Sequence, residues 1–250
     1  MKTSLLSIVT AVTLSGCVIY VGNGHAGDLQ QTQRTLTLDA QELKQLVADT
    51  GAGKLDIIGE AGRDDVSLVA DIYYYDEDDI RLTLQRSGNK AVLEAGFASN
   101  NYSGNSPYID LTVRVPAHFG LKLDDGSGDT AIRGLQGDLD VEDGSGGLTI
   151  EGGNNVVVED GSGELRISAI SGKLVVDDGS GNLYISDVKG DVSIDDGSGN
   201  LTVRNVGGMV SIDDGSGNIE VDGAGGLTIL DSGSGGLKIN AVTGPVKIAD

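Results

Sequence analysis

Carboxylate and hydroxyl side chains recur at fixed spacing through the second half of this 250-residue sequence. The tetrapeptide Asp-Gly-Ser-Gly begins at six positions that lie 17 or 18 residues apart: Asp125, Asp143, Asp160, Asp178, Asp196 and Asp214. An altered copy begins at Ser232, and an acidic residue precedes every copy: Asp124, Glu142, Glu159, Asp177, Asp195, Asp213 and Asp231. Rows of carboxylates could bind cations, and a serine between glycines could act as a nucleophile.

Cation binding is the first chemistry that these residues could support. If the repeats stack, thirteen carboxylates form two columns along one edge of a rod, with neighbours ~4.8 Å apart. Their repulsion of ~3.5 kcal/mol per neighbouring pair, at an effective dielectric constant of 20, needs compensation. Ca²⁺ could supply it, with oxygen ligands from Asp125, Asp143, Asp160, Asp177, Asp178, Asp195, Asp196, Asp213 and Asp214.

A purely structural role for the two columns is the alternative. The second aspartate of each pair would accept backbone N–H bonds across its turn, while the first column faces water. The Ca²⁺-binding nonapeptide repeat needs a glycine-rich turn on both sides of each coil, whereas only one turn is glycine-rich here. Both interpretations remain open at this point, and no other cofactor is expected.

Catalysis by the repeated serines is not expected. A serine nucleophile in a Gly-Ser-Gly setting needs a strand–turn–helix context and a histidine partner. The two histidines, His25 and His118, both precede the regular repeats. Turns of two to five residues leave no groove, and a repeated unit does not build one asymmetric site. A carbohydrate-active β-helix enzyme, which would use clustered carboxylates, is kept only as a rival hypothesis.

Tyrosines form the one aromatic cluster of the sequence. Tyr73 and Tyr75 would share one face of a strand, with Tyr74 on the other face. Tyr102 and Tyr108 lie in or near the following loop. Because tyrosine is favoured at interfaces, Tyr73, Tyr75, Tyr102 and Tyr108 are a candidate binding patch.

Each repeat holds two short strands and two turns. In one repeat, Leu183 and Ile185 alternate with polar residues, Asp187–Gly190 turns, and Val192 and Ile194 alternate again. A third apolar column lies in the intervening turn: Leu135, Ile170, Val188, Val206, Ala224 and Val242. The pattern predicts an all-β fold, a parallel β-solenoid (β-helix) with ~18-residue coils. An antiparallel sandwich or barrel would explain the alternation but not the fixed spacing.

The sequence begins with a segment similar to a bacterial lipoprotein signal peptide. Residues 1–16 combine Lys2 with a short apolar run, and Leu14-Ser15-Gly16-Cys17 has the form of a lipobox. That similarity implies that Cys17 is lipidated and anchors the chain in a membrane, with Val18 favouring the outer membrane. Residues 17–33 would then be a lipidated tether, 34–120 an irregular β cap with the first coils, and 121–250 the regular repeats.

The formal charge of −21 limits the partners. Such a surface repels nucleic acid and favours cationic partners, so we expect no nucleic-acid binding and a cationic envelope component or a protein as partner. Forty glycines and no tryptophan suit a narrow core closed by tight turns.

The sequence resembles a known family through its strand motifs. Ile109–Pro116, then Leu121–Leu123, then the Gly-Ser-Gly repeats are similar to the "putative adhesin" β-strand-repeat family of bacterial envelope proteins, over roughly Thr35 to Asp250. This resemblance implies a right-handed parallel β-solenoid in the cell envelope and brings no catalytic residues. We expect a non-enzymatic, lipid-anchored adhesion or binding scaffold, with a Ca²⁺-stabilised structural module as the alternative.

Overall fold

The computed structural model describes residues 29–99, 102 and 105–249, together with the backbone of 15–17. Apart from a single 3₁₀ turn at Glu77–Asp79, the regular elements of this part of the chain are all β-strands. No helix of the described residues is long and apolar enough to cross a membrane. The fold is a parallel β-solenoid with an N-terminal cap, as the repeat spacing predicts.

Eight strands precede the regular coils. They are β1 (Ser15–Cys17), β2 (Gln30–Asp39), β3 (Gln45–Ala52), β4 (Leu55–Glu60), β5 (Asp65–Tyr74), β6 (Ile80–Ser87), β7 (Lys90–Phe97) and β8 (Tyr108–Pro116). Strands β2, β5 and β6 pair antiparallel with their neighbours, whereas β3 and β4 pair parallel on both sides. The cap is therefore a mixed structure built onto the end of the solenoid.

Thirteen strands form the coils that follow. They are β9 (Gly120–Ser127), β10 (Thr130–Arg133), β11 (Leu139–Asp143), β12 (Gly146–Glu151), β13 (Val156–Asp160), β14 (Gly163–Ile170), β15 (Leu174–Asp178), β16 (Gly181–Val188), β17 (Val192–Asp196), β18 (Leu201–Asp214), β19 (Ile219–Asp231), β20 (Leu237–Val242) and β21 (Val246–Ile248). Strands β18 and β19 each contribute to both sheets.

The coils stack into two parallel sheets. The first sheet contains β9, β11, β13, β15, β17 and the second halves of β18 and β19. The second sheet contains β10, β12, β14, β16 and the first halves of β18 and β19. Equivalent repeat positions pair directly, so that Val158 lies beside Val141 and Val176, one coil away on each side. Like side chains therefore form ladders along the rod.

The core lies between the two sheets. The inward residues of both sheets are buried, including Val192, Ile194, Leu201 and Val203, as predicted. The third apolar column is buried from Leu135 to Ala224. The predicted inward residues of the last coil differ, since Leu237, Val246 and Ile248 are 38 to 48% exposed. Strands β20 and β21 are covered by β19 on one side only, which explains their exposure.

The backbone conformation requires glycine at the last residue of each Asp-Gly-Ser-Gly motif. These glycines have φ between 131° and 150°, a region that other residues rarely adopt: Gly128, Gly146, Gly163, Gly181, Gly199 and Gly217. A Cβ atom on Gly181 would also lie 1.6 Å from the carbonyl oxygen of Gly163 in the preceding coil. The repeated turn is therefore set by the close approach of successive coils.

The cap departs from the predicted layout in two ways. After β2 the chain turns and then enters β3, with Leu46, Ala48 and Thr50 facing inward. The coil formed by β3 and β4 also lies between the β7–β8 coil and the β9–β10 coil, so spatial order differs from chain order. Strand β2 begins at Gln30, a few residues before the predicted start of the cap.

Candidate functional site

The two acidic columns lie on opposite sides of the first sheet. In β11, Val141 faces the core, Glu142 faces solvent and Asp143 faces the core again. The expectation that all thirteen carboxylates stand along one edge is wrong, because the period of two that begins with the apolar pair continues to the end of the strand. The structure thus contains one exposed and one buried column of carboxylates.

We define the acidic face as the outward carboxylates of the first sheet: Asp124, Glu142, Glu159, Asp177, Asp195 and Asp213. Their strands pair in register, so neighbouring carboxylates are one coil apart, ~4.8 Å along the rod. Lys122 approaches this face at its first coil, with its Nζ atom 3.4 Å from Glu142 and 3.2 Å from Asp140. Within the described chain, Glu159, Asp177, Asp195 and Asp213 have no ion-pair partner.

A strip of exposed glycines runs beside the acidic face. Gly126, Gly144, Gly161 and Gly179 line an open groove of about 530 Å³ together with residues of both carboxylate columns. A Cβ atom on Gly144 would lie 2.4 Å from the carbonyl oxygen of Gly126. Side chains are therefore sterically excluded from the strip, and the groove beside the carboxylates stays open along several coils. The expectation that the short turns leave no groove is wrong, because the glycines of these turns carry no side chain to fill it.

The second sheet carries a different charge pattern. Most of its outward arginines and lysines pair with acidic neighbours, as in Arg166 with Glu164 and Lys238 with Glu220, each at 2.8 Å. The guanidinium of Arg166 also lies 4.1 Å from the ring centre of Tyr184. A continuous row of neighbouring carboxylates is thus found on the first sheet, and the acidic face is a distinct surface of the rod.

The buried aspartate column consists of the first residue of each Asp-Gly-Ser-Gly motif. Its members are at most 5% exposed: Asp125, Asp143, Asp160, Asp178, Asp196 and Asp214. Neither carboxylate oxygen of Asp143, Asp160, Asp178 or Asp196 has a well-aligned hydrogen-bond donor among the described residues. The backbone N–H groups of Ser162, Ser180 and Ser198 lie near Asp160, Asp178 and Asp196 and partly offset the effect of burial on their pKa values. Burial without a donor disfavours the ionised form of a carboxyl group.

Proton affinity is raised along the whole buried column. Burial, followed by the charges of Asp125 and Asp160, raises the pKa of Asp143 to about 7. Burial and the charges of neighbouring coils likewise raise the pKa of Asp178 to about 7 and that of Asp196 to about 6. Burial also raises the pKa values of the remaining members, Asp125, Asp160 and Asp214.

The ends of the buried column have hydrogen-bond donors that its middle lacks. The hydroxyl of Thr50 donates to Oδ1 of Asp125, and the hydroxyl of Thr130 donates to Oδ2 at 3.0 Å. At the other end, the backbone N–H of Ser216 donates to Oδ1 of Asp214 at 2.9 Å. The predicted hydrogen bond across the turn is therefore well aligned at Asp214, whereas the equivalent N–H groups at Asp160, Asp178 and Asp196 are only close to the carboxylate.

The metal-site prediction concerns members of both columns. Asp177, Asp195 and Asp213 lie on the acidic face, whereas the other six predicted ligands lie in the buried column. Among the described residues, no three His, Cys, Asp or Glu side chains converge to hold a metal ion. The stacked register spreads the carboxylates along the rod, and Ca²⁺ binding by these residues stays a prediction.

The four predicted patch tyrosines lie together on the cap. The rings of Tyr73 and Tyr108 stack with centres 4.4 Å apart, and those of Tyr75 and Tyr102 are 6.1 Å apart. The hydroxyls of Tyr75 and Tyr102 donate to backbone carbonyls of Asn105 and Ser99. Ring faces and hydroxyls are thus largely engaged within the cap. Tyr74 is buried on the opposite face of β5, as predicted.

Other residues singled out from the sequence do not join a common site. His118 packs edge-on against the ring of Phe119, with centres 5.2 Å apart, and lies in the cap rather than beside the serine turns. His25 and tether residues 18–28 lie outside the described residues. Cys17 is described by its backbone, which pairs with Gln33 of β2, and its lipidation stays a prediction.

Comparisons with known proteins give matches in fold. No protein-family model matches the chain, and no curated protein is significantly similar in sequence. Similar solved structures include a "putative adhesin" from Bacteroides fragilis, 16% identical with a TM-score of 0.45, covering 86% of this chain and 97% of that one. Another is a "putative cell adhesion protein" from Clostridium sporogenes, 15% identical with a TM-score of 0.34, covering 87% and 98%.

A third similar structure is a "putative adhesin" from Parabacteroides distasonis, 15% identical with a TM-score of 0.39, covering 89% of this chain and 98% of that one. These similar structures are bacterial proteins with names like that of the family that the sequence resembles.

Proposed function

We propose that this protein is a non-enzymatic scaffold of the bacterial cell envelope that binds a cationic partner along its acidic face. The observation that carries the proposal is the row of outward carboxylates without ion-pair partners: Glu159, Asp177, Asp195 and Asp213. Like charges held one coil apart by a rigid ladder repel one another, and a bound cationic group relieves that repulsion. Binding energy is thus available wherever a partner supplies matching positive charge.

The geometry favours an extended partner rather than a compact one. The carboxylates repeat every ~4.8 Å in a straight line, and the glycine strip keeps the adjacent groove open. In an extended peptide, side chains on one face repeat every ~6.6 Å, which is longer than the ~4.8 Å between coils. Lysines on one face of such a peptide would therefore contact about two of every three coils. A flexible polyamine or a lysine-rich segment fits this surface, and each contact is weakened by salt.

The absence of catalysis is part of the proposal. Each serine of the Gly-Ser-Gly turns has the same surroundings in every coil, and His118 lies in the cap. A nucleophile needs a general base within hydrogen-bond reach. Within the described chain, the repeat supplies carboxylates and serines but no histidine or cysteine. This arrangement supports a binding role over the rival hypothesis of a carbohydrate-active enzyme.

Anchoring through Cys17 would display the acidic face away from a membrane. The backbone of Cys17 pairs with Gln33 of β2, so a lipid on Cys17 would hold the cap beside the membrane. The cap would lie nearest the lipid. The coils that carry the unpaired carboxylates would lie beyond the cap, farther from the membrane. A lipidated cysteine in a bacterial envelope protein, at the outer membrane by the identity of Val18, remains part of this proposal.

A matched pair of variants tests the binding face. The triple variant Asp177→Asn, Asp195→Asn and Asp213→Asn removes three charges from the acidic face, and the control Asp64→Asn, Asp78→Asn and Glu42→Gln removes three exposed charges from the cap. We expect the face variant to bind a lysine-rich peptide at least about tenfold more weakly by calorimetry, because each lost contact removes a charge-assisted interaction. The control should change affinity by less than about twofold.

The same measurement separates the alternatives. Equal weakening in both triple variants would show that net charge, rather than the acidic face, attracts the peptide, and would contradict the proposal. The Ca²⁺-stabilised module makes a different prediction: millimolar Ca²⁺ would raise the melting temperature of the wild-type protein, and the face variant would lose that response. Equal melting temperatures with Ca²⁺ and with chelator would reject the calcium alternative.

A further inference from the structure

Six carboxyl groups form an unbroken line inside the solenoid. Backbone register places each of them directly beside the next: Asp125, Asp143, Asp160, Asp178, Asp196 and Asp214. Strand β3 pairs with β9 and places Thr50 directly beside Asp125, at the position that an aspartate occupies in the later coils. The line therefore begins at a hydroxyl group of the cap and continues through six coils.

The described residues provide no positive charge to this line. None of the six aspartates forms an ion pair with a lysine, arginine or histidine. The titratable groups nearest to them are other carboxyls. The neighbouring coils supply the other buried aspartates and, beside Asp214, Asp231. The strands of the column itself supply outward Asp177, Asp195 and Asp213. The facing second sheet contributes the hydroxyl of Thr130 in its first coil and inward leucine, isoleucine and valine residues in the coils after it.

Six ionised carboxylates cannot form hydrogen bonds with one another, because a carboxylate only accepts hydrogen bonds. A proton on one member of a neighbouring pair removes this conflict, since its O–H group then donates to the oxygen of the other member. Two carboxyls in close contact commonly share one proton in this way. The nine buried oxygens without donors in the column mark where such protons are needed.

The hydrogen-bond donors at both ends of the column indicate which aspartates act as acceptors. Thr50 and Thr130 already donate to Asp125, so Asp125 is suited to the ionised form and Asp143 to the protonated one. Ser216 donates to Asp214, which leaves Asp196 as the protonated partner at the other end. Asp160 and Asp178 remain as the middle pair. Six carboxyls thus divide into three neighbouring pairs, each with room for one shared proton.

We propose that the buried aspartate column is a proton ladder, in which three protons shared between neighbouring coils hold the solenoid together and make its stability sensitive to pH. In acidic solution the O–H groups donate from coil to coil. As the pH rises, hydroxide or water takes the protons, the six carboxyls become ionised, and neighbouring coils repel one another. The raised pKa values of Asp143, Asp178 and Asp196 agree with this pairing.

Proton counting on unfolding tests the ladder in the intact protein. Unfolding exposes the aspartates, whose ordinary pKa is ~3.9, so the shared protons must leave at pH 5.5. We expect calorimetry in two buffers of different ionisation enthalpy to detect release of about two to three protons per molecule. Infrared spectra of the folded protein at pH 5.5 should also contain the C=O absorption of protonated carboxyl groups.

Variants assign the released protons to the column. Replacement of Asp143 and Asp178 by asparagine keeps a neutral donor at both positions, so release should fall by about two protons. The control Asp177→Asn with Asp195→Asn changes only exposed carboxylates and should leave release unchanged. Zero release, or proton uptake, by the wild-type protein would overturn the proposal even if the buried variants fail to fold. A folded protein that retains a stoichiometric divalent cation and lacks protonated carboxyls would also overturn it.

Discussion

The pH dependence of stability follows from the buried aspartate column. At Asp178, burial and the charges of Asp160 and Asp196 raise the pKa from 3.8 to about 7 in the folded state. The folded protein therefore binds more protons than the unfolded chain between these values, and stability must fall as the pH rises through this window. The contribution of this group is complete below about pH 4 and is lost above about pH 7.

The size of this effect can be worked from the shift at Asp178. About three pKa units at ~1.4 kcal/mol each give about 4 kcal/mol of unfolding free energy. Neighbouring carboxyls share protons, so their contributions do not add, and we take about 4 kcal/mol as the order expected for the column. For a chain of this length, 1 kcal/mol corresponds to ~2–4 °C. The melting temperature should fall by about 10 °C between pH 4.5 and pH 7.5.

Thermal unfolding followed by circular dichroism provides the assay. The variant Asp178→Asn should flatten the pH profile, because an amide stays neutral throughout the window. The control Asp177→Asn, one residue away on the exposed side of β15, should keep the wild-type profile. A melting temperature that is constant or rises between pH 4.5 and pH 7.5 would refute the argument that buried carboxyls retain protons in the folded state.

Three further predictions concern the core, the turns and the anchor. Ile194→Asp should lower the unfolding free energy by several kcal/mol in denaturant titrations, since it places a carboxylate in the middle of an apolar ladder. A denaturation midpoint like that of the wild type would show that the inward register is wrong. Gly181→Ala should also destabilise the protein by several kcal/mol, because the Cβ atom would meet the carbonyl oxygen of Gly163. The control Gly96→Ala, whose Cβ atom meets nothing within 4 Å, should be nearly neutral in the same titration. Cys17→Ser should abolish acylation and release the protein from the membrane fraction; recovery of acylated protein there would contradict the lipobox assignment.

Much of the fold could be predicted from spacing alone. Identity of positions every 17 or 18 residues requires stacked coils, and alternation within each repeat fixes which residues face inward. The cap could not be ordered in this way, because its strands lack a repeat. Strand β3 was missed because its inward positions, Leu46, Ala48 and Thr50, include small and polar residues that weaken the alternation.

The candidate site was predicted only in part. The sequence identifies every carboxylate of both columns but places them on one edge, whereas the structure buries one column. The signal for burial was present, since Asp143 stands two residues after inward Val141, as Asp196 stands two residues after inward Ile194. The usual exposure of aspartate outweighed that spacing in the prediction. Without the neighbouring coils, nothing in one repeat shows that its aspartate has no donor.

Location of the bound partner tests the central claim most directly. A lysine-rich peptide can be joined to nearby carboxylates by a zero-length carbodiimide reagent, and mass spectrometry then identifies the linked residues. We predict links concentrated at Glu159, Asp177, Asp195 and Asp213, which are exposed and have no ion-pair partner in the described chain. Links spread over all exposed carboxylates, or concentrated at cap residues such as Asp64 and Asp78, would contradict binding along the acidic face.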